Sequence, residues 1–315
     1  MNKNNMGQAA LYLSLTVVLA ACGGGGGSGG KDQSGGGTIE LDTGGYADRA
    51  ASMTELSHVD SAAALYADVT NASDLIWEVE DRIESWGQPE VNGNVFTLTC
   101  ENGSGKVVVT IESDNVNDKE HWQFTNCEVL TPNYGRVLLN GTYQYVNVLA
   151  AESAVSENWI GYEAFAISGT FLGTGEALKL QGREDRDERN SAEGYKLTSR
   201  IKALEFMQGD RYVAISDAVF DFAIDEEAES YTLTAKLIGS AINGYVNLST
   251  PERVNTPFVE PPCSDAGVVR MEGEGYAEVR YGTSTGTGDA VVVEVNGSPL
   301  KVFATCAEVD PDFNF

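Results

Sequence analysis

Residues 195 to 225 read YKLTSRIKALEFMQGDRYVAISDAVFDFAID, and apolar and polar side chains alternate along much of this stretch. Alternation with a period of two is typical of an antiparallel strand that has one buried and one solvated face. Gly209-Asp210 lies at the centre and has the order that a two-residue hairpin turn prefers, with glycine first. We therefore predict a β-hairpin folded about this turn. Its predicted pairs are Leu197 with Phe222, Tyr195 with Ile224 and Lys202 with Asp217.

The apolar residues of this hairpin and of the run that follows it define one face of a sheet. They are Tyr195, Leu197, Ile201 and Ala203 in the first strand, Ala218, Phe220, Phe222 and Ile224 in the second, and Tyr231, Leu233, Ala235 and Leu237 in a third. A register shift of one residue would bury the charged residues between them, so the pattern favours this pairing. Similar runs, separated by glycine, asparagine and aspartate turns, continue from Asn94 onward. The predicted fold class is mainly β, an extended antiparallel meander that is curved or barrel-like.

Residues 46 to 86 carry the long helical pattern of the sequence. The apolar stripe recurs at steps of four and three and consists of Leu65, Val69, Ala72, Ile76, Val79, Ile83 and Trp86. Residues 71 to 74 are a weak point at which the segment can divide in two, and Gly87 followed by Pro89 marks its end. A stripe of this kind is usually a packing surface, so we expect an N-terminal amphipathic helix packed on the sheet.

Four of the five cysteines lie in the strand-rich part of the chain. They are Cys100, Cys127, Cys263 and Cys306. An even number in an oxidising compartment favours two disulfides, although four cysteines allow three pairings. We favour Cys100 with Cys127 and Cys263 with Cys306, because each pair brackets one short run of strands. Alternation places Cys127 on the face opposite Phe124, so the first pairing requires a bulge or a strand end between them.

The first 22 residues differ in composition from the rest of the chain. Lys3 is followed by an apolar run that ends in Leu19-Ala20-Ala21-Cys22. This tetrapeptide resembles the lipobox of bacterial lipoproteins. The resemblance implies that residues 1–21 are a signal peptide removed by a type II signal peptidase, and that Cys22 carries palmitate or similar acyl chains. It also implies the outer membrane, facing the periplasm or the cell surface, because Gly23 stands where an aspartate would favour inner-membrane retention.

The composition divides the chain into four predicted segments. Residues 1–21 form the signal peptide, and residues 22–37 form the lipidated cysteine with a glycine-rich linker whose span is about 20 Å. Residues 38–262 contain the helix and the main antiparallel β domain. Residues 263–315 form a C-terminal disulfide-closed β unit, because prolines interrupt strand pairing just before it. These prolines are Pro251, Pro257, Pro261 and Pro262.

The charge balance limits the classes of partner. The chain has 47 Asp and Glu against 20 Lys and Arg, a formal net charge of −27. This acidity disfavours nucleic acid as a partner, and we expect contact with the membrane to be made by acylated Cys22 rather than by a basic face. No cofactor or metal is predicted, since the sequence has only two histidines and no Cys-x-x-Cys motif.

One dense run of mixed charge, Arg183 to Arg189, lies between two strand-like stretches. Mixed signs at this density are typical of a solvated hairpin tip. The alternative is a calcium site, for which the run supplies four acidic side chains. These are Glu184, Asp185, Asp187 and Glu188.

The function that the sequence favours is a lipid-anchored cell-envelope protein that acts as a non-catalytic binding or scaffold module for an unknown protein, glycan or lipid. A first alternative is a carrier of an apolar ligand in a β cradle with the helix as a lid, because several aromatic residues face one side. They include Tyr195, Phe220, Phe222 and Trp77. A second alternative is a polysaccharide hydrolase, which needs two carboxylates about 5 to 10 Å apart, although no spacing in the sequence selects a pair.

Overall fold

Fifteen antiparallel strands lie side by side, in chain order, in the part of the chain that the structure describes. The computed structural model describes residues 41–86, 88–113, 117–149, 157–191, 194–258 and 263–309. The predicted signal peptide, Cys22 and the glycine-rich linker lie outside the described residues. The strands belong to one compact unit, Ile39–Phe315.

Strands β4 to β9 and β11 are the longest, with 14 to 16 residues each. The strands are β1 (Glu90–Asn92), β2 (Val95–Thr99), β3 (Lys106–Ser113), β4 (Asn117–Thr131), β5 (Gly135–Leu149), β6 (Glu157–Phe171), β7 (Glu176–Ser191), β8 (Gly194–Gln208), β9 (Arg211–Ile224), β10 (Ala228–Gly239), β11 (Gly244–Pro257), β12 (Ala266–Gly273), β13 (Gly275–Tyr281), β14 (Val291–Val295) and β15 (Ser298–Phe303). Each strand pairs with the next one along the chain, so the predicted antiparallel meander is confirmed. The sheet is not closed, because β1 and β15 are its two edges.

Two helices pack on one face of the sheet. They are α1 (Leu56–Thr70) and α2 (Asp74–Glu84), and a short 3₁₀ turn, Asn71–Ser73, joins them at the predicted weak point. The predicted packing of an N-terminal helix on the sheet is confirmed. Among the described residues, no helix combines the length and the apolar composition needed to span a bilayer.

The predicted helical stripe fills the space between the helices and the sheet. Its members Leu65, Val69, Ala72, Ile76, Val79 and Ile83 are all at most 1% exposed, and Trp86 packs against the edge of the core. Helix α2 lies on β4, and α1 lies on β8, β9 and β10. We call the face of the sheet that these helices cover the inner face and the opposite face the outer face.

The sheet curls around the helices. Tyr231 of β10 lies close to Tyr281 of β13 and to Tyr66 of α1. Burial is the largest cause of the raised pKa of Tyr231, and these two phenols raise it further. Strands β10 and β13 are three positions apart, which is about 14 Å in a flat sheet. Curvature therefore brings the inner faces of these strands together. It also explains why one continuous core joins both helices to strands from β3 to β15.

The β8–β9 hairpin has the predicted register except at one pair. Leu197 pairs with Phe222 and Tyr195 pairs with Ile224, as the turn at Gly209-Asp210 predicts. Lys202 and Asp217 form no ladder pair, so this part of the prediction is wrong. Asp217 has a φ of 50°, and the register of each strand with its other neighbour shifts by one residue at this level.

This irregularity reverses the alternation of side chains along both strands. Beyond it Leu204 and Phe206, rather than Ala203, join Ile201 on the core face of β8. The assignment of Ala203 to that face is therefore wrong, because the alternation was extended through a bulge that the sequence does not mark. The third strand has no such reversal on its core face. Its predicted residues Tyr231, Leu233, Ala235 and Leu237 all belong to the core.

A second bulge explains the position of Cys127. The β4–β5 register shifts between Phe124 and Cys127, and Asn126 has a φ of 46°. The extra residue turns Cys127 onto the core face, where it is fully buried. This is the irregularity that the favoured disulfide requires.

The described part of the proline-rich stretch lies inside the sheet. Pro251 and Pro257 belong to β11, and β12 continues the ladder from it. The pairing of β11 with β12 is irregular near Pro251, with register shifts on both sides of Glu252. Proline lacks the amide hydrogen that a regular ladder needs, which accounts for irregular pairing without a strand end. Pro261 and Pro262 lie outside the described residues.

Candidate functional site

Both favoured disulfides are present. Cys100 is bonded to Cys127, with a Cα–Cα distance of 5.3 Å, and Cys263 is bonded to Cys306, with a Cα–Cα distance of 5.6 Å. The first joins the β2–β3 turn to the middle of β4. The second joins Cys263, three residues before β12, to the segment that follows β15. Each bond therefore cross-links strands near one of the two edges of the sheet, where an edge strand pairs on one side only and is the least stabilised.

The dense charged run is not a hairpin tip, so that prediction is wrong. Arg183 to Arg189 lie within β7, and each pairs with β6 on one side and with β8 on the other. The charges are tolerated there because every arginine of the run has an acid two residues away on the same face. On the outer face Arg183 contacts Asp185 at 2.5 Å, and on the inner face Arg186 contacts Glu184 at 2.8 Å. The prediction of a solvated loop did not take this spacing of opposite charges into account.

The same alternation separates the four acids of the calcium hypothesis. Asp185 and Asp187 pair with arginines on the outer face, whereas Glu184 points to the inner face with Arg186. Strand geometry holds adjacent residues on opposite sides of the sheet, so the four carboxylates do not converge on one ion. In the described parts of the chain, no group of three or more His, Cys, Asp or Glu side chains is arranged to hold a metal.

The inner face of β6, β7 and β8 contains a buried ion network centred on Arg186. Its guanidinium donates two hydrogen bonds to Glu184, at 2.8 and 2.9 Å, and lies 3.0 Å from a carboxylate oxygen of Glu163. The Ser199 hydroxyl donates to Glu184 at 2.7 Å. Register places these groups together, because Glu163 pairs with Glu184 and Arg186 pairs with Ser199 across neighbouring strands.

Two aromatic residues complete the network around Glu163, which is only 2% exposed. The Tyr143 hydroxyl donates to Glu163 at 2.7 Å, and the Trp77 indole N–H donates to the same oxygen at 3.2 Å. The Arg186 guanidinium lies 5.6 Å from the Trp77 ring centroid. One cation is thus held between two carboxylates and an indole ring, where α2 meets the sheet. We call Trp77, Tyr143, Glu163, Glu184, Arg186 and Ser199 the ion network.

The carboxyl groups around this network have pKa values shifted in opposite directions. Burial, and then the nearby charges of Glu163 and Glu120, raise the pKa of Glu80 on α2 well above its ordinary value. Burial also opposes ionisation of Glu184, but the Arg186 guanidinium and the Ser199 hydroxyl hold its pKa below the ordinary value. Burial on α2 therefore favours a neutral Glu80, whereas Arg186 favours an ionised Glu184.

A surface of aromatic and apolar side chains continues the inner face beyond the ion network. We call Tyr195, Leu197, Phe220, Phe222 and Tyr231 the aromatic surface. Phe220 and Phe222 stack with ring centroids 6.0 Å apart, and Tyr195 meets Phe222 edge-on at 6.3 Å. Tyr231 lies 5.8 Å from Phe220. Of the five residues only Tyr231 is buried, and the other four are partly buried, so the rings keep contact with solvent where the helices do not cover them.

The outer face has its own buried carboxylate. Glu205 is 1% exposed and lies 2.5 Å from the Lys179 ammonium. It also accepts hydrogen bonds from the Tyr212 hydroxyl at 3.2 Å and from the Asp42 backbone N–H at 2.9 Å. The Asp42 bond fastens the segment that precedes α1 to the outer face. Glu205 is therefore a structural element rather than a site.

The sequence pattern predicts the aromatic surface but does not predict the ion network. Tyr195, Phe220 and Phe222 were assigned to one face, and the structure brings them together there. Glu163 was not singled out, although alternation places it on the same face as Phe165, and an acid on an otherwise apolar face is a signal that the sequence offers. Its partners Tyr143 and Trp77 are distant in sequence, so only the tertiary structure identifies them.

Comparisons with protein-family models, curated proteins and solved structures find no match to this chain.

Proposed function

We propose that this chain is a lipid-anchored cell-envelope protein that acts as a non-catalytic binding module, and that the aromatic surface makes contact with its ligand. Leu19-Ala20-Ala21-Cys22 supports the anchor. Two disulfides support an oxidising location, since such bonds form and persist outside the cytoplasm. The glycine-rich stretch after Cys22 has the composition of a flexible tether between a membrane and a folded domain.

The observation that carries the binding function is the partly buried aromatic surface. Binding sites are commonly lined by aromatic and apolar side chains with a few polar groups beside them. Here four partly exposed apolar residues lie together on a rigid sheet, and the ion network adjoins them. The stripe under the helices is fully packed, which favours a site beside the helices over a cavity beneath a helical lid.

The anchor is tested by replacing the acylated residue. In the native host, Cys22→Ser is expected to abolish palmitate labelling and to move the protein from the membrane fraction to the soluble fraction. Ser28→Ala, in the same glycine-rich stretch, is the control and should keep both properties. Unchanged labelling and membrane association of Cys22→Ser would contradict the lipobox assignment.

Ligand contact is tested with a neutral environment-sensitive dye, N-phenyl-1-naphthylamine. Phe222→Leu removes a ring but keeps an apolar side chain, and it is expected to weaken dye binding about threefold to tenfold. Phe258→Leu is a matched control, because Phe258 is 57% exposed and lies outside the aromatic surface. Fluorescence titration and a melting curve of each variant separate lost contact from lost folding. Equal binding by the two variants would argue against this surface.

A polysaccharide hydrolase is the second candidate, and one specific observation favours it. Glu80 of α2 and Glu184 of β7 are both neighbours of Glu163, and their pKa values are shifted in opposite directions, which is the relation between a general acid and its partner carboxylate in glycosidases. This candidate predicts release of reducing ends from envelope polysaccharide, with loss of activity in Glu80→Gln. The control Glu226→Gln changes an exposed turn residue and should remain active.

A further inference from the structure

Two carboxylates flank the aromatic surface, one on each side. Glu188 of β7 pairs with Leu197, which in turn pairs with Phe222 of β9. Glu229 of β10 pairs with Ile224, two residues beyond Phe222 on the same strand. Alternation places both acids on the inner face, because Glu188 follows Glu184 and Arg186 at spacings of two and Glu229 precedes Tyr231 by two.

Neither flanking acid forms an ion pair within the described part of the chain. Glu188 accepts a hydrogen bond from the Tyr195 hydroxyl, and the nearest positive charge that acts on it belongs to Arg186. Arg186 is already committed to Glu184 and Glu163. Both flanking acids are partly buried, and burial raises the pKa of each. Burial of a carboxylate that has no cation beside it is unfavourable. A ligand cation placed next to either acid would therefore gain electrostatic binding energy.

The ion network shows how this face holds a cation. Arg186 lies between the carboxylates of Glu163 and Glu184, and its guanidinium approaches the Trp77 ring. Glu188 accepts a hydrogen bond from Tyr195, and Phe222 lies two strands away beyond Leu197, but among the described residues no cation forms an ion pair with Glu188. An aromatic face adjoining a carboxylate recognises organic cations, since ring quadrupole and charge both attract them.

We propose that the aromatic surface binds an amphipathic organic cation, with its apolar body on Phe220 and Phe222 and its ammonium or guanidinium group beside Glu188 or Glu229. This inference rests on the proposed binding function and adds the ligand class to it. Charge complementarity carries the choice of a cation, because the surface is flanked by two acids on a chain whose formal net charge is −27.

Three probes that share a phenyl ring test the ligand class. They are 2-phenylethylammonium, 2-phenylethanol and 3-phenylpropionate, titrated into the full chain carrying Cys22→Ser and followed by calorimetry and saturation-transfer NMR. We expect the ammonium probe to bind at least about tenfold more tightly than the carboxylate probe, with the alcohol between them. Replacement of both acids, Glu188→Gln with Glu229→Gln, is expected to reduce that preference to about twofold or less.

The control is Glu226→Gln, which removes the same charge three residues before Glu229 but in the exposed β9–β10 turn. It should keep the full preference for the cation, and a melting curve of each variant establishes that the fold is retained. If the double variant melts early, the Glu188→Gln single variant decides, with an expected loss of about threefold for the ammonium probe alone.

The outcomes separate this inference from the function on which it rests. If the three probes bind equally and Phe222→Leu weakens all of them, the cation inference is overturned while the binding surface stands. If Glu226→Gln removes the preference as strongly as the double variant, general acidity explains it and the inference is also overturned. If no probe and no neutral dye binds, both this inference and the proposed function fail.

Discussion

The contact between α1 and β10 offers the sharpest test of the packing. Leu65 is fully buried beneath Gly239. A Cβ atom added to Gly239 would lie 2.3 Å from Leu65 Cδ2, 2.8 Å from Leu65 Cδ1 and 2.9 Å from the Tyr212 carbonyl oxygen. Real Cβ contacts are not this short, so Gly239→Ala must displace the leucine or the helix that carries it. The glycine thus allows α1 to approach the sheet.

The free energies follow from this geometry. Leu65→Ala leaves a cavity in the core and is expected to cost about 3 kcal/mol of unfolding free energy. Gly239→Ala overpacks the same site and is expected to cost about 2 kcal/mol. The double variant should cost at least about 1 kcal/mol less than the sum, because the new methyl group occupies space that the leucine has vacated. Rescue is incomplete, since the contact with the Tyr212 carbonyl remains.

Urea unfolding followed by tryptophan fluorescence measures these values, with the disulfides intact and the slope m compared across variants. Gly173→Ala is the control, because nothing lies within 4 Å of the added Cβ, and its effect should stay within about 0.5 kcal/mol. Additive costs of Leu65→Ala and Gly239→Ala, or a neutral Gly239→Ala, would refute the close approach of α1 to β10.

Three further predictions concern charge and covalent structure. Folding raises the pKa of Glu80, so the stability that this group contributes is present below the ordinary carboxyl value of 4.5 and is lost as pH rises through the folded value. In urea unfolding, Glu80→Gln should therefore have a higher free energy of unfolding than the native chain at about pH 8 and nearly the same value at about pH 4. Arg186→Met leaves two buried glutamates without their cation and should cost about 3 to 5 kcal/mol in the same assay, whereas a cost under about 1 kcal/mol would contradict the network. Joint replacement of Cys100 and Cys127 by alanine should cost about 3.5 kcal/mol for their separation of 27 residues, measured by urea unfolding against the oxidised protein.

Much of the sheet follows from local patterns in the sequence. Alternation and the turn at Gly209-Asp210 predict the β8–β9 register correctly at Leu197 with Phe222, because both signals act within one hairpin. The same reasoning fails at Lys202 and Asp217. A bulge there depends on how β8 and β9 fit their other neighbours, β7 and β10, and a hairpin considered alone contains no information about them.

The charged run on β7 is a second feature that local sequence patterns do not predict correctly. Seven charged residues in succession suggest a solvated loop when only composition is considered. In the sheet every arginine of the run lies beside an acid two residues away on the same face, as in the pair Arg186 with Glu184. A spacing of two between opposite charges is therefore a better guide to a strand than the density of charge.

One part of the candidate site follows from the sequence pattern, and the other part does not. Tyr195, Phe220 and Phe222 share a face by alternation, so the sequence identifies the aromatic surface. The flanking positions of Glu188 and Glu229 depend on strand order and register across four neighbouring strands. No local pattern contains that order.

The sequence by itself determined the class of fold, the helical stripe and most of the hairpin register, because each depends on the period of side chains or on turn residues that are close along the chain. It favoured the two disulfides, and the structure established their pairing. Only the tertiary structure decided which acids converge on Arg186, which carboxylates beside the aromatic surface form no ion pair with the described residues, and where bulges exchange the two faces. These depend on distances between strands that are far apart in sequence, and the curvature of the sheet around α1 and α2 sets those distances.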